Sequence, residues 1–257
     1  MFLRKSRFLI GVVLSLVLCL GIALIATSTS ASDGRAWFLT EEETDAYEFP
    51  VYTGTESLGW LGTLAFLQVP EETLKAMSTD GLIETCLTYP IYSIGMITSN
   101  QSMHAGFQNT VENFNGFAEL FQREDAGRKL LALYQGIDQS KAVRSSELPY
   151  FRTMYMEYLL AQDEILTKLS IEERSALQTA CIRKVSERMQ KYDDQFPTES
   201  GLLIIARISY MDDPVFTAYV KEHGHIMLLV NTGIMPQLNE TELAEFKDAI
   251  DIQWEVN

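Results

Sequence analysis

The sequence predicts a mainly α-helical fold: a multi-helix bundle or irregular helical array, with a small C-terminal β-hairpin followed by a helix. Two observations predict the helical part. From residue 58 to residue 212, apolar residues recur at spacings of three and four, as on the buried face of a helix. Residues that cap helix N-termini precede these apolar runs. After residue 214, β-branched and aromatic residues around a glycine are typical of a hairpin.

Residues 70–90 predict two short helices. Pro70 suits the first helical position, and the two glutamates after it complement the positive helix N-terminus. Ser78 is the predicted cap of the second helix. The inward face of that helix carries four apolar residues: Leu82, Ile83, Cys86 and Leu87. The helix is expected to end at Tyr89, because the residue before a proline avoids the α region.

An aromatic stripe follows between residues 100 and 122. Its members are spaced as on helices: Phe107, Phe114, Phe117 and Phe121. Asn115-Gly116 interrupts the stripe, so we expect two helices there, with the second starting at Asn115. Such a stripe can line a ligand groove, but its helical spacing favours packing in the core. Asp125 is the predicted cap of the next helix.

Three further helices are predicted between residues 148 and 212. A long helix covers residues 148–169. Ser170 and Glu173 then have the spacing of a capping box and begin a second helix. The sequence GLLIIARISYM, which starts at Gly201, is apolar on most sides and predicts a central helix.

The C-terminal part predicts strands before a last helix. Val215–Lys221 and Ile226–Asn231 are rich in strand-forming residues, and EHGH between them contains a turn glycine. These two segments are the expected β-hairpin. Asn239 and Glu242 form another capping-box pair at the start of the final helix.

The first 31 residues predict export. Three basic residues, the last of them Arg7, precede an uncharged apolar run from Phe8 to Ala26, and small residues follow. This is the order of a signal peptide, with cleavage expected after Ala31 or Ser32. The run is longer than the roughly 7–15 residues of a typical signal core and close to the about 20 that span a bilayer. An uncleaved N-terminal membrane anchor therefore stays an alternative. Either way the body is expected outside the cytoplasm, secreted or membrane-anchored.

The rest of the chain divides into two predicted regions. Residues 32–58 combine an acidic run with proline, glycine and hydroxyl residues, which predicts an acidic flexible tether. Residues 59–257 contain the helical pattern and predict a single domain. The polar stretch at residues 138–147 is an alternative internal boundary.

The charge balance narrows the classes of partner. The net charge is −15. Residues 1–31 hold three basic and no acidic residues, so the remainder carries 17 Lys and Arg against 35 Asp and Glu, a net −18. Such a body repels phosphate backbones, which argues against nucleic acid as a partner. Beyond the signal, Cys86 and Cys181 occupy apolar helical positions, so we predict two buried thiols rather than a disulfide.

Residues 60–136 carry a resemblance to a known family. The residues that carry it are PEETLKAMST, the Tyr89-Pro90 ending, the NFNG turn and the REDA cap. This part of the chain resembles an uncharacterised α-helical domain of exported proteins from clostridial-type Gram-positive bacteria. The resemblance implies export and a helical body, and it implies no catalytic residue.

His223 and His225 are the candidate metal ligands. Two histidines one residue apart can face one metal ion from a strand, with Glu222 or the pair Asp212 and Asp213 adding oxygen ligands. The alternative is that a polar hairpin tip collects such residues. No catalytic residue and no cofactor is predicted, because the sequence contains no nucleophile motif and no phosphate-binding loop.

Two hypotheses of function follow. The first is an extracytoplasmic helical binding or scaffold module whose partner is a protein or a cell-surface ligand. Contact with a membrane is expected only through residues 8–26, if they are not cleaved. The alternative is a hydrolase of cell-envelope or extracellular polymers, in which His223 and His225 converge with acids such as Asp212 and Asp213 in a cleft.

Overall fold

A computed structural model describes residues 44–50, 59–90, 102–138, 147–191 and 198–250. The predicted signal or anchor, most of the predicted tether and the alternative boundary near residues 139–146 lie outside these ranges. Within them the chain forms thirteen α-helices and one 3-10 turn, and no strand. The prediction of a mainly α-helical fold is therefore confirmed.

The helices are numbered in chain order. The first six are α1 Gly59–Phe66, α2 Glu71–Ala76, α3 Thr79–Leu87, α4 Met103–Asn113, α5 Asn115–Leu120 and α6 Ala126–Gly136. The next four are α7 Glu147–Leu160, α8 Asp163–Leu166, α9 Ile171–Lys191 and α10 Glu199–Asp212. The last are α11 Pro214–Glu222, the 3-10 turn Gly224–Ile226, α12 Met227–Thr232 and α13 Glu240–Ile250.

Helix α3 is the centre of the N-terminal half. The Ser78 hydroxyl accepts a hydrogen bond from the Gly81 backbone N–H at 3.1 Å, so the predicted cap is confirmed. Leu82 and Ile83 are completely buried. Helices α5, α6 and α7 pack against α3, which explains why eight of its nine residues are buried.

The aromatic stripe lies in the core. Helix α4 ends before Phe114 and α5 begins at Asn115, as predicted. The Phe114 ring stacks on Tyr89 with 4.0 Å between ring centroids, and Phe107 meets Tyr155 edge-on at 4.9 Å. These contacts join α3, α4, α5 and α7 through one aromatic cluster, so the stripe packs the core.

Two side-chain amides join the connection between α1 and α2 to the start of α5, where they replace missing backbone partners. Asn115 accepts from the Val69 N–H at 3.1 Å and donates to the Val69 carbonyl at 2.7 Å. Gln68 accepts from the Asn115 N–H at 2.9 Å and donates to the Asn113 carbonyl at 2.8 Å. These bonds satisfy backbone groups where α4 ends and α5 starts, as buried backbone requires.

Helix α10 is the centre of the C-terminal half. It packs against α7, α9, α11 and α12, and its apolar residues Leu203, Ile204 and Ile208 are almost fully buried. The predicted central helix is therefore confirmed. Hydrogen bonds join Gln178 to Ser209 and Cys181 to Gly201. Because the residue number rises along α9 as it falls along α10, the two helices are antiparallel.

The predicted β-hairpin is wrong. The segments expected as strands, Val215–Lys221 and Ile226–Asn231, form α11 and most of α12. The tip between them, which holds both candidate histidines, forms the end of α11 and the 3-10 turn.

Helix formation here has two local causes. The Asp213 side chain accepts from the Val215 N–H at 2.8 Å and caps α11, and Pro214 occupies the first helical position. Phe216, Tyr219 and Val220 then share one buried face at spacings of three and four. Burial of that face outweighs the strand propensity of β-branched residues, which depends on context.

Residues 44–50 belong to the predicted tether and pack on the helical body. Asp45 accepts from both the Ser78 N–H at 2.7 Å and the Ser78 hydroxyl at 2.5 Å. The Tyr47 N–H donates to the Thr85 hydroxyl at 2.9 Å. Phe49 lies 5.6 Å from the Tyr89 ring. We call residues 44–50 the α3 strap, because they hold the N-terminal chain along that helix.

Within the ranges that the structure describes, no helix is both long enough and apolar enough to span a bilayer. The predicted anchor, residues 8–26, lies outside those ranges and stays a prediction.

Candidate functional site

Two groups of chemically capable side chains stand out among the described residues. The first, the Glu157 cluster, lies in the core and consists of Tyr134, Glu157, Arg188 and Ser200. The second, the histidine corner, lies at the surface and consists of His223, His225, Glu242 and Glu245.

The Glu157 cluster joins four helices through one carboxylate. The Arg188 guanidinium donates to both Glu157 oxygens, at 2.7 and 3.0 Å. The Tyr134 hydroxyl donates to Oε1 at 2.7 Å, and the Ser200 hydroxyl donates to Oε2 at 2.5 Å. The four residues come from α6, α7, α9 and α10. Each carboxylate oxygen therefore accepts two hydrogen bonds, which uses the lone pairs that a carboxylate offers.

Burial sets the proton affinities of the groups around Glu157. Burial acts against the charge of Arg188, but its surroundings, with the Glu157 carboxylate first among them, together raise the Arg188 pKa. Burial, followed by the negative field of Glu157, raises the pKa of Cys181 to about 12. Burial also raises the Tyr134 pKa well above its usual value. At neutral pH the thiol and the phenol are therefore protonated, and neither is a nucleophile.

Lys184 is a buried amine beside this cluster. Its Nζ donates to the Ile137 carbonyl at 2.5 Å and lies 5.1 Å from the centre of the Tyr134 ring. Burial, with a contribution from the neighbouring Arg183 charge, lowers the Lys184 pKa to about 8. Lys184 thus fastens the end of α6 to α9.

The cluster is suited to holding helices together. Glu157 and Ser200 are completely buried and Arg188 is 5% exposed, so a dissolved molecule does not reach the carboxylate.

The two cysteines of the helical body are also enclosed in the core. Cys86 and Cys181 are buried free thiols. The prediction of two buried thiols is confirmed.

The Glu157 cluster was not predicted, although the sequence contains one signal of it. Glu157 stands in MYMEYLLA, a run that is otherwise apolar or aromatic. A single charge in such a run is rarely buried without a partner. The partners of Glu157 could not be identified from the sequence, because they are distant along the chain. Tyr134, Arg188 and Ser200 lie 23, 31 and 43 residues away.

His104, in the first turn of α4, is also buried. It is 9% exposed, and its Nε2 lies 3.1 Å from the Gln108 side-chain amide. Burial, and then the positive charge of Arg207, lowers its pKa to about 4. His104 is therefore neutral at physiological pH.

The histidine corner lies where α11 meets α13. His223 follows the last residue of α11, and His225 lies in the 3-10 turn. The His223 Nε2 is 3.7 Å from a Glu245 oxygen, and the His225 Nε2 is 3.8 Å from a Glu242 oxygen. The two imidazole centroids are 6.3 Å apart. Each histidine therefore faces its own carboxylate.

His223 is oriented by the last turn of α11. Its Nδ1 lies 3.1 Å from the Tyr219 carbonyl oxygen, and its ring stacks on the Tyr219 ring with 4.3 Å between centroids. Because a carbonyl only accepts, Nδ1 carries the proton. In neutral His223 the lone pair is then on Nε2, the atom that faces Glu245.

The acids that sequence analysis placed beside these histidines lie elsewhere. Asp212 accepts two hydrogen bonds from Arg174, both at 2.6 Å, and Asp213 caps α11. The nine residues of α11 separate these acids from His223 by about 14 Å at 1.5 Å per residue. The expected convergence of Asp212 and Asp213 with the histidines is therefore not observed.

The acids that face His223 and His225 are instead Glu245 and Glu242, which belong to α13. Within the described part of the chain, no group of three or more His, Cys, Asp or Glu side chains is arranged to hold a metal ion. Metal binding by His223 and His225 stays a prediction, and its original basis, two histidines on a strand, is wrong.

Comparisons with protein-family models, with curated proteins and with solved structures find no match to this chain. The resemblance of residues 60–136 to exported helical domains therefore stays an expectation, and the geometry above carries the functional argument.

Proposed function

We propose that this protein is an extracytoplasmic helical module that binds or organises a partner, which is a protein or a cell-surface ligand. One observation carries the proposal. The Glu157 cluster is buried, and its carboxylate accepts four hydrogen bonds from within the cluster. The buried polar side chains of this cluster thus hold the helices in a rigid arrangement, as a binding scaffold requires.

Export is supported by the sequence. The basic, apolar and small-residue order of residues 1–31 is that of a secretion signal, and the resemblance of residues 60–136 points in the same direction. The remaining chain carries 17 basic against 35 acidic residues. This charge disfavours nucleic acid and anionic surfaces as partners.

A first experiment tests the location. We expect N-terminal sequencing of the natively exported protein to start at Ser32 or Asp33, because the peptidase cleaves after small residues. A protein that keeps residues 1–10 is membrane-anchored. A protein found only inside the cytoplasm contradicts the proposal.

The histidine corner supports one competing function, a hydrolase of cell-envelope or extracellular polymers. His223 and Glu245 have exposed side-chain fractions of 28% and 51%, so both are accessible to a substrate. An imidazole that faces a carboxylate is a common general-base arrangement.

A second experiment separates the two functions. The exported protein is incubated with purified cell envelope, and binding and release of soluble fragments are measured together. We expect co-sedimentation without fragment release, and the same result for the double variant His223→Gln, His225→Gln. Release of fragments that this variant abolishes, and that the control Glu222→Gln retains, establishes the hydrolase instead.

A further inference from the structure

We propose that the face of α3 beneath the α3 strap is a docking site for an extended segment of a partner protein, and that the strap occupies this site in the unbound protein. The segment that fits has an acidic residue followed, two and four positions further on, by aromatic residues. Such a site gives the proposed function, on which it rests, a defined class of partner. The contacts of the α3 strap show which chemistry the site accepts.

The α3 strap follows the repeat of the helix beneath it. Every second strap residue lies against α3 or its end, in the pairs Asp45 with Gly81, Tyr47 with Thr85 and Phe49 with Tyr89. Gly81 and Tyr89 are eight residues apart, which is about 12 Å along a helix. Four strap residues cover this distance at about 3 Å each, close to the about 3.3 Å of extended chain. The site therefore reads an extended segment at alternate positions.

The acidic position is recognised by a backbone donor and a hydroxyl donor. The Asp45 carboxylate accepts from the N–H and from the hydroxyl of Ser78, while the same hydroxyl accepts from the Gly81 N–H. Asp45 thus lies at the positive N-terminal end of α3. The hydrogen bond from the Ser78 hydroxyl is the main cause that lowers the pKa of Asp45. This position therefore favours a negatively charged side chain.

Gly81 allows the segment to approach α3 closely. A Cβ added at Gly81 would overlap the Asp45 carboxylate and lie 3.0 Å from the Asp45 backbone carbonyl carbon. The three atoms nearest to this added Cβ all belong to Asp45. Glycine destabilises a helix relative to alanine, so the missing side chain serves the docked segment rather than the helix.

Tyr89 and Phe114 form the aromatic end of the site. Their ring centroids lie 5.6 and 5.8 Å from that of Phe49. Each of residues 44–50 is partly or largely exposed, so the docked segment lies on the surface of the body. Tyr89 is buried, and its hydroxyl has no hydrogen-bond partner among the described residues. Because such a hydroxyl is unfavourable, a partner segment whose acceptor reaches it binds more tightly than the strap.

Peptide binding to the exported protein tests the site. The probe is a fluorescein-labelled peptide, TDAYEFP, with the sequence of residues 44–50, and its anisotropy is measured as protein is added. In the wild type, the tethered strap competes at an effective concentration of about 1 mM. The double variant Asp45→Ala, Phe49→Ala weakens this competitor and leaves α3 unchanged. We expect it to bind the peptide about 10-fold or more tightly than the wild type.

Two further variants locate the bound peptide. Gly81→Ala, added to the double variant, should weaken peptide binding by about 10-fold or more, because the new methyl group takes the place of the peptide carboxylate. Gly136→Ala, whose added Cβ meets nothing within 4 Å, is the matched control and should keep the binding. A peptide that itself carries Asp45→Ala and Phe49→Ala should not bind.

Three binding results would overturn the proposal. They are no binding of the peptide to the double variant below about 1 mM, equal binding to the wild type and the double variant, and binding that Gly81→Ala retains. Sedimentation tests the other source of such a segment. A wild-type mass that doubles with concentration, while the double variant stays monomeric, assigns the site to the strap of a second copy and overturns its assignment to a partner protein.

The envelope experiment keeps this site distinct from the proposed function. Co-sedimentation with the envelope in the absence of peptide binding contradicts the docking site and leaves the proposed function standing. Peptide binding that Gly81→Ala removes, in a protein that does not co-sediment, supports the docking site and contradicts the proposed function.

Discussion

The Glu157 cluster and the histidine corner use the same chemistry, a carboxylate facing a nitrogen base, in opposite surroundings. In the core, the side chains of Glu157 and Arg188 are 0% and 5% exposed, and two hydrogen bonds join them. At the surface, the side chains of His225 and Glu242 are 43% and 27% exposed, and their nearest atoms are 3.8 Å apart. Burial therefore separates a pair that is enclosed in the fold and held by hydrogen bonds from one that is open to solvent.

The largest expected effect comes from breaking the buried pair. Glu157→Leu removes the carboxylate and leaves Arg188 charged and unpaired in the core. We expect a loss of about 3–5 kcal/mol in the free energy of unfolding, measured by urea denaturation. Glu187→Gln, which removes an exposed pair with Arg183, is the control and should change stability by less than about 0.5 kcal/mol. Similar effects of the two variants would contradict the contrast between core and surface.

A second prediction concerns the close approach of α9 and α10 at Gly201. A Cβ added there would lie 2.5 Å from a Val185 methyl carbon and 2.9 Å from the Arg188 guanidinium. Gly201→Ala should therefore cost about 1–3 kcal/mol through overpacking. Gly136→Ala is the control, since nothing lies within 4 Å of its added Cβ, and it should be neutral or slightly stabilising. Equal melting temperatures of the two variants would show that α9 and α10 have room to separate.

A third prediction uses the pH dependence of the buried Lys184. Burial lowers its pKa to about 8, below the about 10.4 of lysine in an unfolded chain. Between these values the unfolded state binds more protons, so the contribution of Lys184 to stability rises with pH. Relative to Lys184→Met, the wild type should gain about 2 kcal/mol between pH 8 and pH 10. Urea unfolding of both proteins at both pH values measures this, because the other titrating groups are common to both. Parallel pH dependences would mean that Lys184 is solvated.

The smallest effect is expected at the histidine corner. At pH 8, His223→Gln should change the free energy of unfolding by less than about 0.5 kcal/mol, because both side chains of the His223–Glu245 pair are partly exposed. A loss of more than 1.5 kcal/mol at this pH would place His223 with the core groups and remove the distinction between the two regions.

Local features of the fold could be predicted from the sequence. The cap at Ser78 and the capping boxes at Ser170 and Asn239 are all observed, because each depends on residues three positions apart. The prediction failed at Val215–Lys221 because composition was given more weight than the Asp213-Pro214 helix start. The Glu157 cluster and the histidine corner could not be predicted, because the side chains that meet in each group lie far apart in the sequence. Glu157 is joined to residues on three other helices, and Glu242 and Glu245 reach the histidines only after the chain has passed through α12.

The α3 strap also limits how far the body can stand from its point of attachment. In a membrane-anchored protein, the chain from Ala26, the end of the predicted anchor, to Thr44 is eighteen residues, and at most about 3.3–3.6 Å per residue it spans no more than roughly 65 Å. A pulling force applied at the membrane would reach the body first at Asp45 and its hydrogen bonds to Ser78. The force would therefore act along α3. Detachment of the α3 strap would lengthen the chain between the membrane and the helical body before any helix unfolds.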